Sequence, residues 1–264
     1  MKKFISVFLV LIAFSSCSEY QKAFKSEDVS VKYETASKEY EKEKYSNAVM
    51  LFEQISSVFR GKPESENMFY MYAQSLYKTK QFYSAGYQFE SFVSNYPKSD
   101  KVEEAAYLGA FCYSKLSPVY SLDQADTYKA IEKLEAFVDQ YPTSQYVEEA
   151  NKTLKVLREK LEKKAFEIAK QYNTISNYKA SLVVLDNFLS DYPGSVYREE
   201  ALYIKFDSAY NLAINSVYTL MLERLRNAKM AYEALMRYNS KTEYKQKADI
   251  MLARIDSELN KYSK

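Results

Sequence analysis

The chain of 264 residues contains no histidine and no tryptophan, and it has only two cysteines, four glycines and five prolines. Without histidine, Ser-His-Asp and Cys-His catalysis and every histidine-containing metal site are excluded. So few glycines and prolines are atypical of a turn-rich all-β protein of this length. Nothing marks a particular catalytic pair among the 35 acidic side chains. We therefore expect no enzyme, no metal site and no cofactor.

The charge balance argues against nucleic acid as a partner. The formal net charge is +2, and Lys2 and Lys3 account for it, which leaves 35 basic and 35 acidic residues in the rest of the chain. A nucleic-acid-binding protein needs a clustered basic face. With 47% apolar residues, including 27 tyrosines and 15 phenylalanines, the sequence instead predicts a folded chain with a continuous core.

The N-terminus reads as a secretory signal. Lys2 and Lys3 precede an apolar run, Phe4–Phe14, which is too short to span a bilayer as a helix. Two serines then stand directly before Cys17, a pattern that resembles a bacterial lipoprotein signal. We expect residues 1–16 to be the signal peptide, Cys17 to be lipidated, and residues 17–29 to form the lipidated N-terminus and a flexible tether. The alternative is ordinary signal cleavage with Cys17 incidental.

One short turn motif occurs three times. Tyr-Pro-x-Ser stands at residues 96–99, 141–144 and 192–195, and each copy is followed by Glu-Glu-Ala, whose alanine lies eight residues after the proline. A proline ends an apolar helix, a serine two residues later can cap the next one, and glutamates in the first turn complement its dipole. The unit is therefore helix, turn, helix, and its repetition predicts a solenoid that presents a binding surface.

The spacing within the unit resembles the tetratricopeptide repeat. A shift of 37 residues aligns Tyr33 with Tyr70 and Ala48 with Ala85, and Ala85 lies twelve residues before Pro97, the closing interval of that repeat. We therefore predict an all-α fold, an α-solenoid of about five tetratricopeptide-like helix pairs with a C-terminal capping helix. The solenoid is expected over residues 30–262, with repeats at approximately 30–60, 63–96, 99–141, 144–192 and 195–238 and the cap at 242–262.

One helix is predicted to be longer than the repeat requires. The segment Val147–Tyr172 has no glycine or proline, and its apolar residues recur at helical spacing. It is expected to be one continuous helix that serves either as a docking ridge or as a packing spacer.

The repeats, their order and the N-terminal signal together resemble the BamD family, the outer-membrane-protein assembly lipoproteins of Gram-negative bacteria. The most specific stretch runs from Tyr141–Tyr146 through the long helix to Asp191–Pro193. The resemblance implies a scaffold of the β-barrel assembly (BAM) machinery, anchored by lipid alone to the periplasmic face of the outer membrane. It further implies that C-terminal repeats bind the periplasmic domains of a BamA-like barrel component and that N-terminal repeats bind unfolded outer-membrane protein clients. Other assembly lipoproteins are further candidate partners.

Tyrosines recur on the first helix of each early repeat, the helix that lines the groove of tetratricopeptide solenoids. Such a series suits an extended peptide, because tyrosine offers a flat apolar face and a hydroxyl. The alternative is that the tyrosines fill the core, in which case they are buried against the second helix of their own repeat. The candidate client-binding residues are Tyr33, Tyr40, Tyr70, Gln74, Tyr77 and Tyr107.

In the C-terminal half, three arginines are candidates for docking the barrel component. Arg198, Arg224 and Arg226 can form bidentate pairs with carboxylates. The alternative for each is a solvated surface charge.

Two other functions stay open from the sequence. One is a periplasmic tetratricopeptide coordinator of cell-envelope or peptidoglycan processes, which differs from the first reading in lacking a lipid on Cys17. The other is a surface-exposed nutrient-binding lipoprotein, although residues 18–20 lack the acidic cluster expected of a surface-export signal.

Overall fold

The computed structural model describes residues 19–262, and over that range the protein is built of α-helices without β-strands. Most helices pack against the next one along the chain, as expected for stacked helix pairs. The predicted fold class, all-α with tetratricopeptide-like helix pairs, is confirmed. The helices are α1 Glu19–Lys25, α2 Val29–Glu41, α3 Tyr45–Ile55, α4 Ser65–Lys78, α5 Phe82–Asn95, α6 Val102–Leu116, α7 Ala125–Gln140, α8 Val147–Thr174, α9 Tyr178–Asp191, α10 Arg198–Ile214, α11 Tyr218–Tyr238 and α12 Lys245–Asn260.

The chain divides into two compact units. Unit 1 comprises the described residues up to Pro118 together with Leu122–Leu157, and unit 2 comprises Val119–Ser121 together with the chain from Arg158 onward. The long helix α8 therefore contributes its first part to unit 1 and its second part to unit 2. The prediction of one continuous helix here is confirmed, since α8 has 28 residues.

The core of unit 1 alternates small and aromatic side chains at the positions that the repeat predicts. Ala48 and Ala85 are fully buried, and so are Phe52 and Phe89, each four residues further along its helix. Alanine lets neighbouring helices approach, and the phenylalanine one turn later fills the space beside the contact. These second helices, α3 and α5, therefore anchor their repeats through the same two positions.

The core of unit 2 uses the same arrangement with one polar exception. Leu185 and Phe188 are buried, but the alanine position is taken by Ser181, whose side chain is fully buried. Its hydroxyl accepts a hydrogen bond from Ser208 Oγ at 2.9 Å and donates to the Ala169 carbonyl oxygen at 3.5 Å. The buried serine is therefore tolerated because its polar atom is satisfied.

The serine of the turn motif does not cap the following helix. Helix α6 begins at Val102 and α10 at Arg198, five residues after the respective prolines, and the residues at the N-cap positions make no side-chain cap bond. Ser99 Oγ instead accepts from the Lys101 backbone N–H at 3.1 Å, inside the turn, and donates to Glu66 Oε1 at 2.6 Å. The capping prediction is wrong because two further residues separate the serine from the first residue of the helix. The serine therefore stabilises the turn itself.

The segment after Cys17 contains a helix. Residues 17–29 were expected to form a flexible tether, but Glu19–Lys25 is helix α1, with Ala23 fully buried and Tyr20 and Phe24 packed against the unit 1 core. These three residues lie on one face of α1, and α1 contacts α2 and α3. For Glu19–Lys25 the tether prediction is therefore wrong.

The predicted signal peptide and the predicted lipidation site at Cys17 lie outside the described residues. Among residues 19–262, no helix has both the length and the apolar character needed to cross a bilayer.

Candidate protein-binding surfaces

The predicted client-binding residues lie on the first helices of three repeats, α2, α4 and α6, and we call them the tyrosine face. The structure brings them together in unit 1 but buries them to different degrees. Tyr70, Gln74 and Tyr107 keep only 7 or 8% of their surface exposed, whereas the remaining three are half-buried. The tyrosine face comprises Tyr33, Tyr40, Tyr70, Gln74, Tyr77 and Tyr107.

The buried tyrosines pack against the second helix of their own repeat. The ring centroid of Tyr70 lies 5.5 Å from that of Phe92 in α5, and the centroid of Tyr107 lies 5.6 Å from that of Phe137 in α7. By burial these two are core side chains, as in the alternative stated from the sequence. On the tyrosine face, mainly the half-buried tyrosines therefore keep surface that another molecule can contact.

A hydrogen-bonded group of polar atoms joins the tyrosine face to the first turn of α6. Gln74 Nε2 donates to the Tyr70 hydroxyl at 2.8 Å and to Glu104 Oε1 at 3.3 Å. Burial, together with the neighbouring Glu104 carboxylate, raises the pKa of Tyr70, and the same two causes contribute to the raised pKa of Tyr40 and Tyr146. These phenols therefore stay protonated at neutral pH and can donate hydrogen bonds.

A second set of aromatic contacts links successive repeats. Tyr146 stacks on Tyr107 with ring centroids 4.9 Å apart and planes 7° apart. In unit 2, Tyr197 stacks on Phe166 at 4.7 Å and 9°. The position that corresponds to Tyr146 in the preceding turn holds Lys101, whose Nζ lies 4.4 Å from the centroid of the Tyr70 ring.

These contacts were not predicted from the sequence, although the sequence contains a signal for them. Lys101, Tyr146 and Tyr197 each lie five residues after the tyrosine of a turn motif and directly before a helix. Aligning the three turns on their prolines places the residues in one column. The shared position shows that the turn of one repeat contacts the first helix of the repeat before it.

The three candidate docking arginines lie in unit 2 and differ in what they contact. Arg198 is half-buried, and its Nη1 donates to the Leu189 carbonyl oxygen at 3.1 Å. Arg224 is also half-buried, and its Nη1 donates to Ser216 Oγ at 2.6 Å. Arg226 is exposed. It lies on a different side of α11 from Arg224, because residues i and i+2 of a helix do not share a face. The three arginines therefore do not form one cluster.

The cysteine at position 112 is a core side chain. Cys112 is fully buried and unpaired, and burial raises the pKa of its thiol to about 12. A buried thiol with a raised pKa is inert. Over residues 19–262, no group of three or more cysteine, aspartate and glutamate side chains is arranged to hold a metal ion.

Comparison with known proteins gives one family and several solved structures. The model of the family described as "YfiO: Outer membrane lipoprotein" matches residues 25–220, well over half of the chain. A comparison with curated protein sequences gives no match. Matching solved structures include the TPR2AB domain of yeast Sti1 in its pHSP90 complex, at 14% identity, with 86% of this chain and 98% of that chain covered and a TM-score of 0.37. The TPR-like repeats of a Podospora anserina kinesin light chain match at 15% identity, with 88% of this chain and 98% of that chain covered and a TM-score of 0.32.

Proposed function

We propose that this chain, which belongs to the YfiO family of outer membrane lipoproteins, is a non-enzymatic scaffold of outer-membrane β-barrel assembly. The family match is the observation that carries the proposal, because it assigns this chain of stacked helix pairs to a family of outer membrane lipoproteins. Stacked helix pairs leave one face of each first helix free for other proteins.

The proposed anchor is lipid on Cys17, on the periplasmic face of the outer membrane. Acyl chains contribute about 0.8 kcal/mol for each buried methylene group, so several chains hold a protein stably at the membrane. Confinement to the membrane surface raises the effective concentration of partners in the same membrane. Individually weak contacts can then suffice for assembly.

Unit 1 is proposed to bind unfolded outer-membrane protein clients through the tyrosine face. The half-buried Tyr33, Tyr40 and Tyr77 offer ring edges and hydroxyls to an extended peptide, while Tyr70 and Tyr107 hold the surface rigid from beneath. Aromatic side chains with few rotatable bonds give contact area at a low cost in conformational entropy. A client segment that carries its own aromatic residues would pack on these rings.

Unit 2 is proposed to bind the periplasmic domains of the barrel component, with other assembly lipoproteins as further partners. Arg226 is the exposed member of the three candidate arginines and is free to form a bidentate pair with a carboxylate. Arg198 and Arg224 already donate to groups of unit 2 and hold the local helices in place.

Affinity purification of the tagged chain from solubilised outer membrane tests the proposal. We expect the membrane-embedded barrel assembly component to be recovered in a stable complex, and a Cys17→Ser variant to recover much less of it because the chain leaves the membrane. Recovery of peptidoglycan-processing enzymes without the barrel component would contradict the proposal.

A further inference from the structure

A cleft in unit 1 lies apart from the tyrosine face. It opens between the end of α3, the start of α4 and the last turns of α5, and its volume is about 480 Å³. Helix α4 contributes Ser65 and Phe69 to the cleft, whereas it presents Tyr70, Gln74 and Tyr77 to the tyrosine face. The volume falls within the range of small-molecule sites, about 300–1,000 Å³. We call it the arginine cleft after Arg60, which lies at its edge.

Among the described residues, 19–262, Arg60 is the one charged side chain that lines the cleft, and no carboxylate lines it. The arginine is exposed and, within residues 19–262, has no ion-pair or hydrogen-bond partner. A guanidinium without an acidic neighbour offers its planar set of donors to an oxygen anion. The charge of the cleft therefore fits a ligand that carries one anionic group.

The other polar groups of the cleft include both hydrogen-bond donors and hydrogen-bond acceptors. Within the described part of the chain, the Gln88 amide and the Ser57 hydroxyl, both lining the cleft, make no hydrogen bond. The Asn95 amide nitrogen is bonded to the Ser91 carbonyl oxygen at 2.7 Å, which leaves the Asn95 Oδ1 to accept. Amides and hydroxyls suit a ligand whose own groups both donate and accept, as sugar hydroxyls do.

An aromatic wall completes the cleft. Tyr87 is 62% exposed and stands at the rim, and Phe69, Phe92 and Tyr96 line the interior. The Tyr96 hydroxyl is used within the protein, since it donates to Ser65 Oγ at 3.0 Å. An exposed ring beside unbonded amide and hydroxyl groups gives an apolar face for the C–H side of a sugar ring.

We propose that the arginine cleft binds an acidic saccharide, a sugar ring that carries one carboxylate or phosphate group. Arg60 pairs with the anion through two parallel hydrogen bonds. Gln88, Ser57 and Asn95 bond the sugar hydroxyls, and the ring of Tyr87 packs against the sugar. This site does not depend on the proposed role in barrel assembly, because it shares no residue with the tyrosine face or with the docking arginines.

Calorimetric and NMR titrations of the full chain in detergent test the site, with glucuronate, glucose 6-phosphate, glucose and inorganic phosphate as probes. We expect glucuronate and glucose 6-phosphate to bind. Glucose lacks the anionic group and inorganic phosphate lacks the sugar ring, so each of them should bind at least about tenfold more weakly. Binding of glucuronate alone or of glucose 6-phosphate alone supports the site and identifies its anion.

Variants locate the binding. Arg60→Gln should weaken the acidic sugars about tenfold or more, and Tyr87→Ala severalfold. Arg237 is also exposed but belongs to unit 2, so Arg237→Gln should leave binding unchanged. Failure of both acidic sugars to bind, equal affinity for inorganic phosphate, or unchanged binding by Arg60→Gln would each overturn the proposal. Both cleft side chains are exposed, so the variants are expected to fold, and thermal unfolding checks that they do.

Discussion

The ring of Tyr244 lies flat on the ring of Tyr203, with centroids 4.2 Å apart and planes 7° apart. Tyr203 belongs to α10, and Tyr244 immediately precedes α12. The contact repeats in unit 2 what Tyr146 does on Tyr107 in unit 1. A residue just before a first helix thus fastens its repeat to the preceding first helix, and the same position serves this role in both units.

Removal of this stack should loosen the last helix of unit 2. Tyr244→Ala is expected to lower the free energy of unfolding by about 2 kcal/mol, since it removes both the stacking of the rings and the burial of the half-buried side chain. The midpoint of urea unfolding measures the loss. Tyr128→Ala, which removes a tyrosine that is 63% exposed, is the matched control and should change the midpoint little. Equal effects of the two variants would contradict the role of the stack.

Gly86 in α5 and Gly109 in α6 lie where these two helices contact each other, since a Cβ atom at Gly86 would lie 3.4 Å from the Cβ of Cys112 in α6. A Cβ atom at Gly109 would lie 3.2 Å from the Cβ of Phe89, whereas a Cβ at Gly194 would meet nothing within 4 Å. Gly109→Ala should therefore destabilise the protein by about 1 kcal/mol, because overpacking at about 1–3 kcal/mol exceeds the gain in helix propensity. Gly194→Ala should be neutral or slightly stabilising. Thermal unfolding of both variants decides, and a stabilised Gly109→Ala would show that the helices can move apart freely.

Alkaline pH should lower the free energy of unfolding of the protein. Burial raises the pKa of Tyr107 and of Cys112 each to about 12, while unfolded tyrosine and cysteine titrate near about 10 and about 8.5. The unfolded chain therefore loses these protons first, and the stability that is present below about pH 8.5 is lost as pH rises towards 12.

The urea midpoint measured between about pH 8 and about pH 11 checks this dependence. Cys112→Ala should reduce the fall with pH, since the variant has no thiol to titrate at that position. A midpoint that stays constant across this range would contradict the assignment of protonated, buried groups.

The proposed lipidation of Cys17 can be tested directly. Cells fed radiolabelled palmitate should incorporate label into the chain, and Cys17→Ser should lose all of it. Cys112→Ser is the control, because its thiol is buried and inert, and the variant should retain the label. Label that persists in Cys17→Ser would exclude that cysteine as the anchor.

Much of the fold could be predicted from the sequence because the core residues recur at fixed positions of the repeat. The turn prolines located the helix ends, and the spacing of Ala48 and Ala85 placed two residues that the structure buries fully. Local signals failed where a tertiary contact decides the outcome. Glu19–Lys25 is a helix because its apolar face covers α2 and α3, and a short polar-looking segment does not reveal such a partner.

The surfaces were harder to predict than the helices. The 37-residue shift places Tyr33 and Tyr70 at equivalent positions of two first helices, but it does not distinguish the half-buried Tyr33 from Tyr70 at 8% exposure. That difference depends on how closely the neighbouring helix approaches. The arginine cleft was not predicted either, because its residues come from three separate helix ends that only the folded chain brings together.

Site-specific photo-cross-linking in living cells tests the scaffold role most directly. A cross-linker in place of Tyr40 or Tyr77 should capture unfolded outer-membrane protein clients, and one in place of Arg226 should capture the barrel component. A cross-linker in place of the exposed Tyr128, on a second helix of unit 1, should capture neither. If positions 40, 77 and 226 yield no more of these products than position 128, the chain is not a scaffold of barrel assembly.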